Sequence, residues 1–441
     1  MALITITATP NNSIPTAISG VVNFFFSSDT NSFCYKDSTG TVVQVFKKNQ
    51  YHVGQITESG LFYKTGPTTE YTIFRFCTPV LVANSAVQAT FDSTIPVIDM
   101  KDFHSKSRHK IFVRDLADAM KKVGFVAVVN AGVDIETLDV AYKSAEEFYA
   151  KPLNFKMTAN APHLHGQRGY VQSESAKGQT VKDYKEFYHI AREYPDSTRT
   201  KYGYISNVWP NDDKFRTAMQ KMFLALDQHA VYIEQALSEG MGENKNFLSN
   251  MTAEGDSLLR AIHYPANPPA NSLWAAEHTD IDLFTILPRS TAEGLQVQNS
   301  QGQWIDVVVP PDAFIINAGD MLQNLTNGVY KSSRHRVVSK GKNQDRYSMV
   351  LFVHPRPNDK MDPLPKFIAQ VGEKKFANAT RQELLSERLA DLGLSGPDML
   401  QQLAASGLME RLIAVKRASP DAMRALRDAN LASPQVLAAL K

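Results

Sequence analysis

Cysteine is almost missing from this chain: Cys34 and Cys77 are the two in 441 residues. A disulfide between them stays open, but free thiols in a reducing compartment are the expectation, and with them a cytoplasmic location. Long hydrophobic runs are missing too. No stretch approaches the roughly 20 apolar residues that span a bilayer, so no membrane association is expected. The opening Met1-Ala2-Leu3-Ile4 lacks a basic segment and an apolar core of the secretory kind. An excess of charge of one sign is also absent. Lys and Arg number 47 against 45 Asp and Glu, a net +2, which argues against a general nucleic-acid binder. Neither repeats nor low-complexity tracts occur.

What remains, with 43% hydrophobic and 21% charged residues, is the composition of a soluble globular protein, and 441 residues exceed one ordinary domain. Residues 1–93 are rich in Thr, Ser, Asn and Val. Short β-prone runs recur there, at Ile4–Thr7, Val21–Phe26, Thr41–Phe46, Tyr71–Phe76 and Val80–Val82. Turn clusters such as Ser38-Thr39-Gly40 separate them, which predicts a small antiparallel β domain of unknown role. Its aromatics (Phe24, Phe25, Phe26, Tyr63, Phe74 and Phe76) read as core.

The texture changes at Ile95-Pro96-Val97-Ile98-Asp99, a short strand. Phe112, Leu116 and Met120 then recur at helical spacing, Gly124 stops that helix, and Phe125–Val129 reads as a buried strand. Asp134 is a good N-cap for a further helix carrying Leu138, Ala141, Tyr142 and Ala145. A long helix is predicted from about 213 to 239, with Phe215, Met219, Met222, Leu226, Ala230, Ile233 and Leu237 as its apolar stripe. After 251 the text becomes short strands and turns up to about 360, the pattern of a double-stranded β-helix of jelly-roll type. The fold class expected is therefore mainly β with helices (α+β). The organisation is a small β domain (1–93), a helical and strand subdomain that also covers the site (94–250), a jelly-roll core (251–360), a C-terminal helix (361–394) and a helical extension (395–441). In that extension Ser419-Pro420 and Ser433-Pro434 each read as N-cap then first helical residue. Docking on the barrel is the plain reading of 395–441. Partner binding or self-association through 1–93 or 395–441 stays open.

The chemistry concentrates in Glu277-His278-Thr279-Asp280, with Arg334-His335-Arg336 and Arg346-Tyr347-Ser348 further on. In a strand, side chains at i and i+2 share a face, so His278 and Asp280 can offer an imidazole and a carboxylate to one point. With His335 they make two histidines and a carboxylate, the facial set of non-haem Fe(II) sites, which leaves coordination positions open. Zn(II) would suit the same donors. Arg346 and Ser348 repeat the i, i+2 spacing, and a guanidinium fork beside a hydroxyl suits a carboxylate.

The runs His278–Leu287, Gly294–Val297, Gln303–Val307, Phe314–Asp320, Tyr330–Ser332 and His335–Val337 resemble, in order and spacing, the 2-oxoglutarate/Fe(II)-dependent dioxygenases of the isopenicillin N synthase-like family, over about residues 95–394. A lone H-x-D motif is weak; this ensemble is specific. The resemblance implies a metal site of His278, Asp280 and His335. It implies a 2-oxoglutarate site of Arg346 and Ser348, with Tyr264 assisting. The cofactors implied are Fe(II), 2-oxoglutarate and O₂, for oxidation of a small organic molecule with release of succinate and CO₂, hydroxylation being the usual outcome. Segments around Gly169-Tyr170-Val171 and Asp183–Tyr188 resemble the family's cover over the site mouth, which makes Arg168, Tyr170, Lys185 and Tyr188 candidates for substrate contact. Plant members often carry Asn where this chain has Ile262. His263 reads as structural, and Asp320 as a turn residue. Two other readings stand beside this one: an Fe(II) oxidase that uses no 2-oxoglutarate, as isopenicillin N synthase does, and a catalytically silent binding or assembly protein.

Overall fold

The computed structural model describes residues 94–441 except 173–182, 270–271, 311 and 342, and, within the first 93 residues, the backbone of seven strands. Residues Met1–Ser93 and Thr94–Lys441 form two compact units. In the first, β1 (Ala8–Thr9), β2 (Asn23–Ser27), β3 (Ser32–Lys36) and β4 (Val42–Lys47) make one sheet in that order. β5 (Tyr51–Thr57), β6 (Gly60–Thr65) and β7 (Tyr71–Arg75) make another. The unit is not wholly antiparallel, because β1 runs parallel to β2. The cysteine side chains, the six aromatic side chains assigned to a core and the run Val80–Val82 lie outside the described residues.

The second unit is a jelly roll of two sheets. Its strands are β8 (Val97–Asp99), β9 (Phe125–Val129), β10 (Gly169–Val171), β11 (Glu186–Ala191), β12 (Leu258–Tyr264), β13 (Ala275–His278), β14 (Phe284–Leu287), β15 (Leu295–Gln298), β16 (Trp304–Asp306), β17 (Phe314–Ala318), β18 (His335–Val337) and β19 (Arg346–Val353). The larger sheet has the order β10-β11-β12-β19-β14-β17-β9-β8 and the smaller β13-β18-β15-β16. Gly124 turns the helix His109–Lys122 into β9 at φ +74°, where a Cβ would lie 2.0 Å from the Lys331 carbonyl oxygen, so only glycine fits.

The period of two along these strands decides what faces what. On β19, Met349, Leu351 and Val353 join the main apolar core, while Arg346, Ser348, Val350 and Phe352 alternate with them. On β11, Tyr188 and Ile190 enter that core and Phe187 and His189 do not. On β14 and β17, Phe284, Ile286, Phe314, Ile316 and Ala318 enter it, leaving Thr285 and Asn317 on the other face. The core is closed by the helix Asp213–Gly240, capped by Asp212, whose predicted apolar stripe is buried along its length. Asp134 caps the helix Ile135–Tyr149 through the Thr137 N–H, as expected.

At the C-terminus, Thr380 and Glu383 form a reciprocal capping box on the helix Arg381–Asp391. Four short helices follow: Pro397–Ser406, Leu408–Ala414, Pro420–Asp428 and Pro434–Ala439. Ser419 and Ser433 cap the last two, as their Ser-Pro signals predict. Leu403, Leu408, Met409, Met423 and Leu426 from these helices are buried in the main core. Arg411 pairs with Glu383 at 2.7 Å, and the Ser419 hydroxyl donates to Asp391. The extension therefore braces the helix Arg381–Asp391.

Candidate active site

β13 and β18 pair antiparallel with His278 opposite His335, which brings the ring centroids to 4.3 Å. β13 ends at His278, so Asp280 is not placed by a strand pleat. It sits in the following loop, where its backbone carbonyl accepts from the Asp320 N–H at 2.8 Å. Its side chain is oriented from the larger sheet: Oδ2 accepts from Thr285 Oγ1 at 2.6 Å and Asn317 Nδ2 at 2.9 Å. Oδ1 is thereby turned to the histidines, 3.7 Å from each Nε2.

The tautomers follow from the acceptors. His278 Nδ1 lies 2.7 Å from the Ala276 carbonyl oxygen and His335 Nδ1 3.2 Å from that of Ser333. A carbonyl can only accept, so each Nδ1 carries the proton and each Nε2 presents a lone pair. Burial, and then the adjacent His335, push the His278 imidazole down to about 3. Burial opposes ionisation of Asp280, but His335, His278 and the two hydrogen bonds outweigh it and hold the carboxyl down at about 2. A neutral imidazole and an ionised carboxylate are the forms that bind a metal.

Asp282 completes the arrangement. It is fully buried, and burial followed by the charge of Asp280 pushes its carboxyl well up. Its Oδ2 lies 2.9 Å from Thr285 Oγ1. Thr285 Oγ1 is thus a donor shared between Asp280 Oδ2 and Asp282 Oδ2. Gly319 packs against it, and a Cβ there would meet Asp282 Oδ1 at 1.9 Å. One donor atom from each of His278, Asp280 and His335 lies within 4.8 Å of the others, and this donor set suits Fe(II).

Across the strand pair β12–β19, Tyr264 stands opposite Arg346 and Ile262 opposite Ser348. Arg346 is 1% exposed and has no carboxylate partner among the described residues. Its Nε donates to the Ala292 carbonyl at 3.0 Å, Nη1 reaches Ser348 Oγ at 3.3 Å, and the guanidinium lies 4.8 Å from the Tyr264 ring centre. A buried guanidinium without a counter-charge is costly unless a ligand supplies one.

Two family models match this chain. Residues 95–212 match "non-haem dioxygenase in morphine synthesis N-terminal", and 255–355 match "2OG-Fe(II) oxygenase superfamily". Among curated relatives, gibberellin 20 oxidase 3 of Oryza sativa subsp. japonica is 30% identical over 309 residues, covering 66% of this chain and 80% of the relative. Gibberellin 2-beta-dioxygenase 1 of Pisum sativum is 29% identical over 323 residues, covering 68% and 86%. Among solved structures, full-length Neurospora crassa T7H in complex with alpha-KG superposes with a TM-score of 0.61 at 25% identity, over 67% of this chain and 96% of that one. JOX2 in complex with 2OG, Fe and JA gives 0.56 at 28% identity, over 66% and 84%. The chain belongs to the 2-oxoglutarate/Fe(II) oxygenase superfamily. It is a non-haem iron oxygenase that uses Fe(II), 2-oxoglutarate and O₂.

The cavity of the oxygenase that reaches His278 and Asp280 measures about 710 Å³. Three of the four residues expected to touch substrate line it: Arg168, Tyr170 and Lys185. Each spends polar atoms inside the protein. Arg168 pairs with Asp256 at 2.8 Å and Lys185 with Asp183 at 2.8 Å, while the Tyr170 hydroxyl donates to Glu186. Asp183 also accepts the Ala276 N–H at 2.9 Å, which ties this cover segment to β13. Tyr188 does not line the cavity. Its parity on β11 turns it to the helix side, where it packs against Phe148, Trp209 and Phe215 and donates to the Val208 carbonyl. His263 bridges Glu186 and Asp345 in a structural network, as expected.

Asp320 opens the short helix Asp320–Leu325 and holds Arg388 and the Thr279 hydroxyl. The sequence reading missed Thr285 and Asn317, which orient the carboxylate, Asp282 beside Thr285, and Arg381 and Arg388 in the cavity wall. Thr285 and Asn317 did leave a signal: each is the one polar residue in an apolar strand, at an inward position.

Proposed function

We propose that His278, Asp280 and His335 hold the Fe(II) of this oxygenase through the two Nε2 atoms and Asp280 Oδ1. Arg346 and Ser348 would hold the distal carboxylate of 2-oxoglutarate, with the Tyr264 ring stacked on the guanidinium. The observation that carries this reading is the pairing of His278 with His335 across β13–β18, with Asp280 Oδ1 at 3.7 Å from both rings. With Fe(II) bound, the centre would supply activation of O₂ coupled to decarboxylation of 2-oxoglutarate, yielding succinate, CO₂ and an oxidised C–H bond of a small organic substrate. The chain's own part is positional. Thr285 and Asn317 fix the carboxylate, the Ala276 and Ser333 carbonyls fix the imidazoles, and the jelly-roll walls exclude water.

The motif run supports an isopenicillin N synthase-like placement within the superfamily. The T7H and JOX2 structures contain alpha-KG or 2OG, which favours 2-oxoglutarate use over the oxidase alternative. Relatives' names point to gibberellins, and the T7H structures hold thymine or 5-formyluracil, so no single substrate carries over. A reducing cytoplasm, where Fe(II) persists, is the compartment we assign. Residues 1–93 and 395–441 fall outside both family matches, and partner binding or self-association through one or the other stays open.

The test is anaerobic titration of Fe(II) and then 2-oxoglutarate, following the weak visible band of the chelate. His278→Ala and Asp280→Ala should abolish iron binding. Iron binding that persists in both variants would refute the ligand assignment.

A further inference from the structure

The cavity wall opposite the barrel is the helix Arg381–Asp391, and it carries an unanswered charge. Arg381, Leu385, Arg388 and Leu389 from this helix all face the cavity. The two arginines differ. Arg388 has a carboxylate: its guanidinium donates to the Thr279 carbonyl at 3.2 Å, between the two metal-side residues, and pairs with Asp320, although its Nε has no partner among the described residues. Arg381 is 4% exposed, and among the described residues its guanidinium bonds to the Gln382 side chain at 3.2 Å. Its Nε has no hydrogen-bond partner, and no carboxylate pairs with it among the described residues.

Arg168, also in the cavity wall, is 3% exposed and shows the same defect. Both carboxylate oxygens of Asp256 lie 2.8 Å from its Nη2, Nη1 donates to the Gln167 carbonyl, and Nε has no partner among the described residues. Burial pushes the Arg381 guanidinium down, with Asp256 opposing and Arg168 adding to the effect, so the three groups act on one another. Two buried guanidinium groups against one carboxylate leave a surplus of one positive charge. Buried unmet donors of this kind mark a place for an acceptor that the folded chain does not itself supply.

We propose that Arg381 and Arg168 together bind a single carboxylate of the substrate, so that this oxygenase acts on a monocarboxylic organic acid. The surplus of one charge matches a monoanion rather than a doubly charged phosphate. Leu258, Ile281, Leu385 and Leu389 also line the cavity and suit an apolar body. Arg381 and Arg388 are seven residues apart on one helix face, about 10 Å along the axis. Since Arg388 marks the metal end, the carbon that is oxidised lies on the order of 10 Å from the carboxylate. This inference rests on the reading of His278, Asp280 and His335 as the metal site.

The experiment uses the full-length protein with Fe(II) and saturating 2-oxoglutarate under nitrogen, so that Arg346 is already occupied. Calorimetry compares straight-chain and aromatic monocarboxylates of roughly six to twelve carbons, bracketing the helix distance, with their primary amides. We expect the best acid to bind at least about tenfold tighter than its amide. Arg381→Gln should bring the two within about twofold, and Arg381→Lys should keep part of the preference. Arg381→Met should lose the preference while melting at or above the wild-type temperature, because it removes a buried charge without a partner. An arginine with a purely structural role predicts the reverse: a lower melting temperature and an intact preference.

A panel in which no acid outbinds its amide overturns the proposal, and so does a preference that survives Arg381→Gln. Binding of 2-oxoglutarate is read in the same protein before the acid is added. Its failure refutes the cofactor reading; its success with no acid preference refutes the carboxylate site alone.

Discussion

Replacing Arg346 by Met separates the two halves of the proposed centre. The guanidinium is 1% exposed, bonded to Ser348 Oγ and the Ala292 carbonyl, and has no carboxylate partner among the described residues. If it grips the distal carboxylate of 2-oxoglutarate, its truncation removes one partner of a buried charge pair, worth about 2–5 kcal/mol. At about 1.4 kcal/mol per tenfold, 2-oxoglutarate affinity falls by roughly 30- to 4,000-fold. Ser348→Ala removes one hydrogen bond to a charged group, about 1.5–3 kcal/mol, hence roughly 10- to 100-fold. Arg346→Lys keeps the charge but loses the fork, and should fall between wild type and Met. Stability should respond differently. Met forfeits the hydrogen bond to Ala292 and the contact with the Tyr264 ring, but it also relieves an uncompensated buried charge, so the melting temperature without 2-oxoglutarate should hardly move. Anaerobic titration of the iron-loaded variants with 2-oxoglutarate measures the first quantity, and iron affinity is the internal control. A change of less than about threefold in 2-oxoglutarate affinity would refute the reasoning, given that range of energies. A parallel loss of iron affinity would show that Arg346 supports the metal site instead.

Three further outcomes are expected. Asn317→Ala removes one of the two donors that hold Asp280 Oδ2, and iron affinity should fall by about 10- to 100-fold; unchanged affinity would show that Thr285 alone suffices. Tyr188→Phe should cost about 1 kcal/mol in denaturant unfolding, through the lost bond to the Val208 carbonyl, and leave succinate release intact; an altered turnover would return Tyr188 to the substrate site. Burial pushes the Glu234 carboxyl up to about 7 from 4.5, with Thr252 donating to Oε1 at 2.8 Å and Oε2 without a partner among the described residues. The fold retains that proton between these values while the unfolded chain releases it. Stability therefore falls as pH rises through this window, by about 3 kcal/mol once above 7. Urea unfolding at acidic and alkaline pH should show Glu234→Gln free of this loss, whereas parallel pH profiles would contradict it.

The sequence by itself determined the local events. Asp134 caps its helix, and Ser419 and Ser433 cap theirs, because a side chain a few atoms long meets N–H groups two or three residues on. The apolar stripe from Phe215 to Leu237 is a period, and a period is visible in one dimension. The order of the motifs, from His278 through His335 to Ser348, was likewise legible. Tertiary structure decided the rest. Asp280 follows the end of β13, and its orientation comes from Thr285 and Asn317 on two other strands. Tyr188 was placed at the site by its neighbours in the chain, yet its strand parity sends it to the helix side. Arg381 lies 101 residues beyond Asp280 in the chain, in a helix whose pattern says nothing of a cavity. Its role depends on which carboxylates the fold brings near, and on their absence. Charge pairing across strands and helices is a property of distance in space, and that is set only when the two sheets close and the C-terminal helices pack behind them.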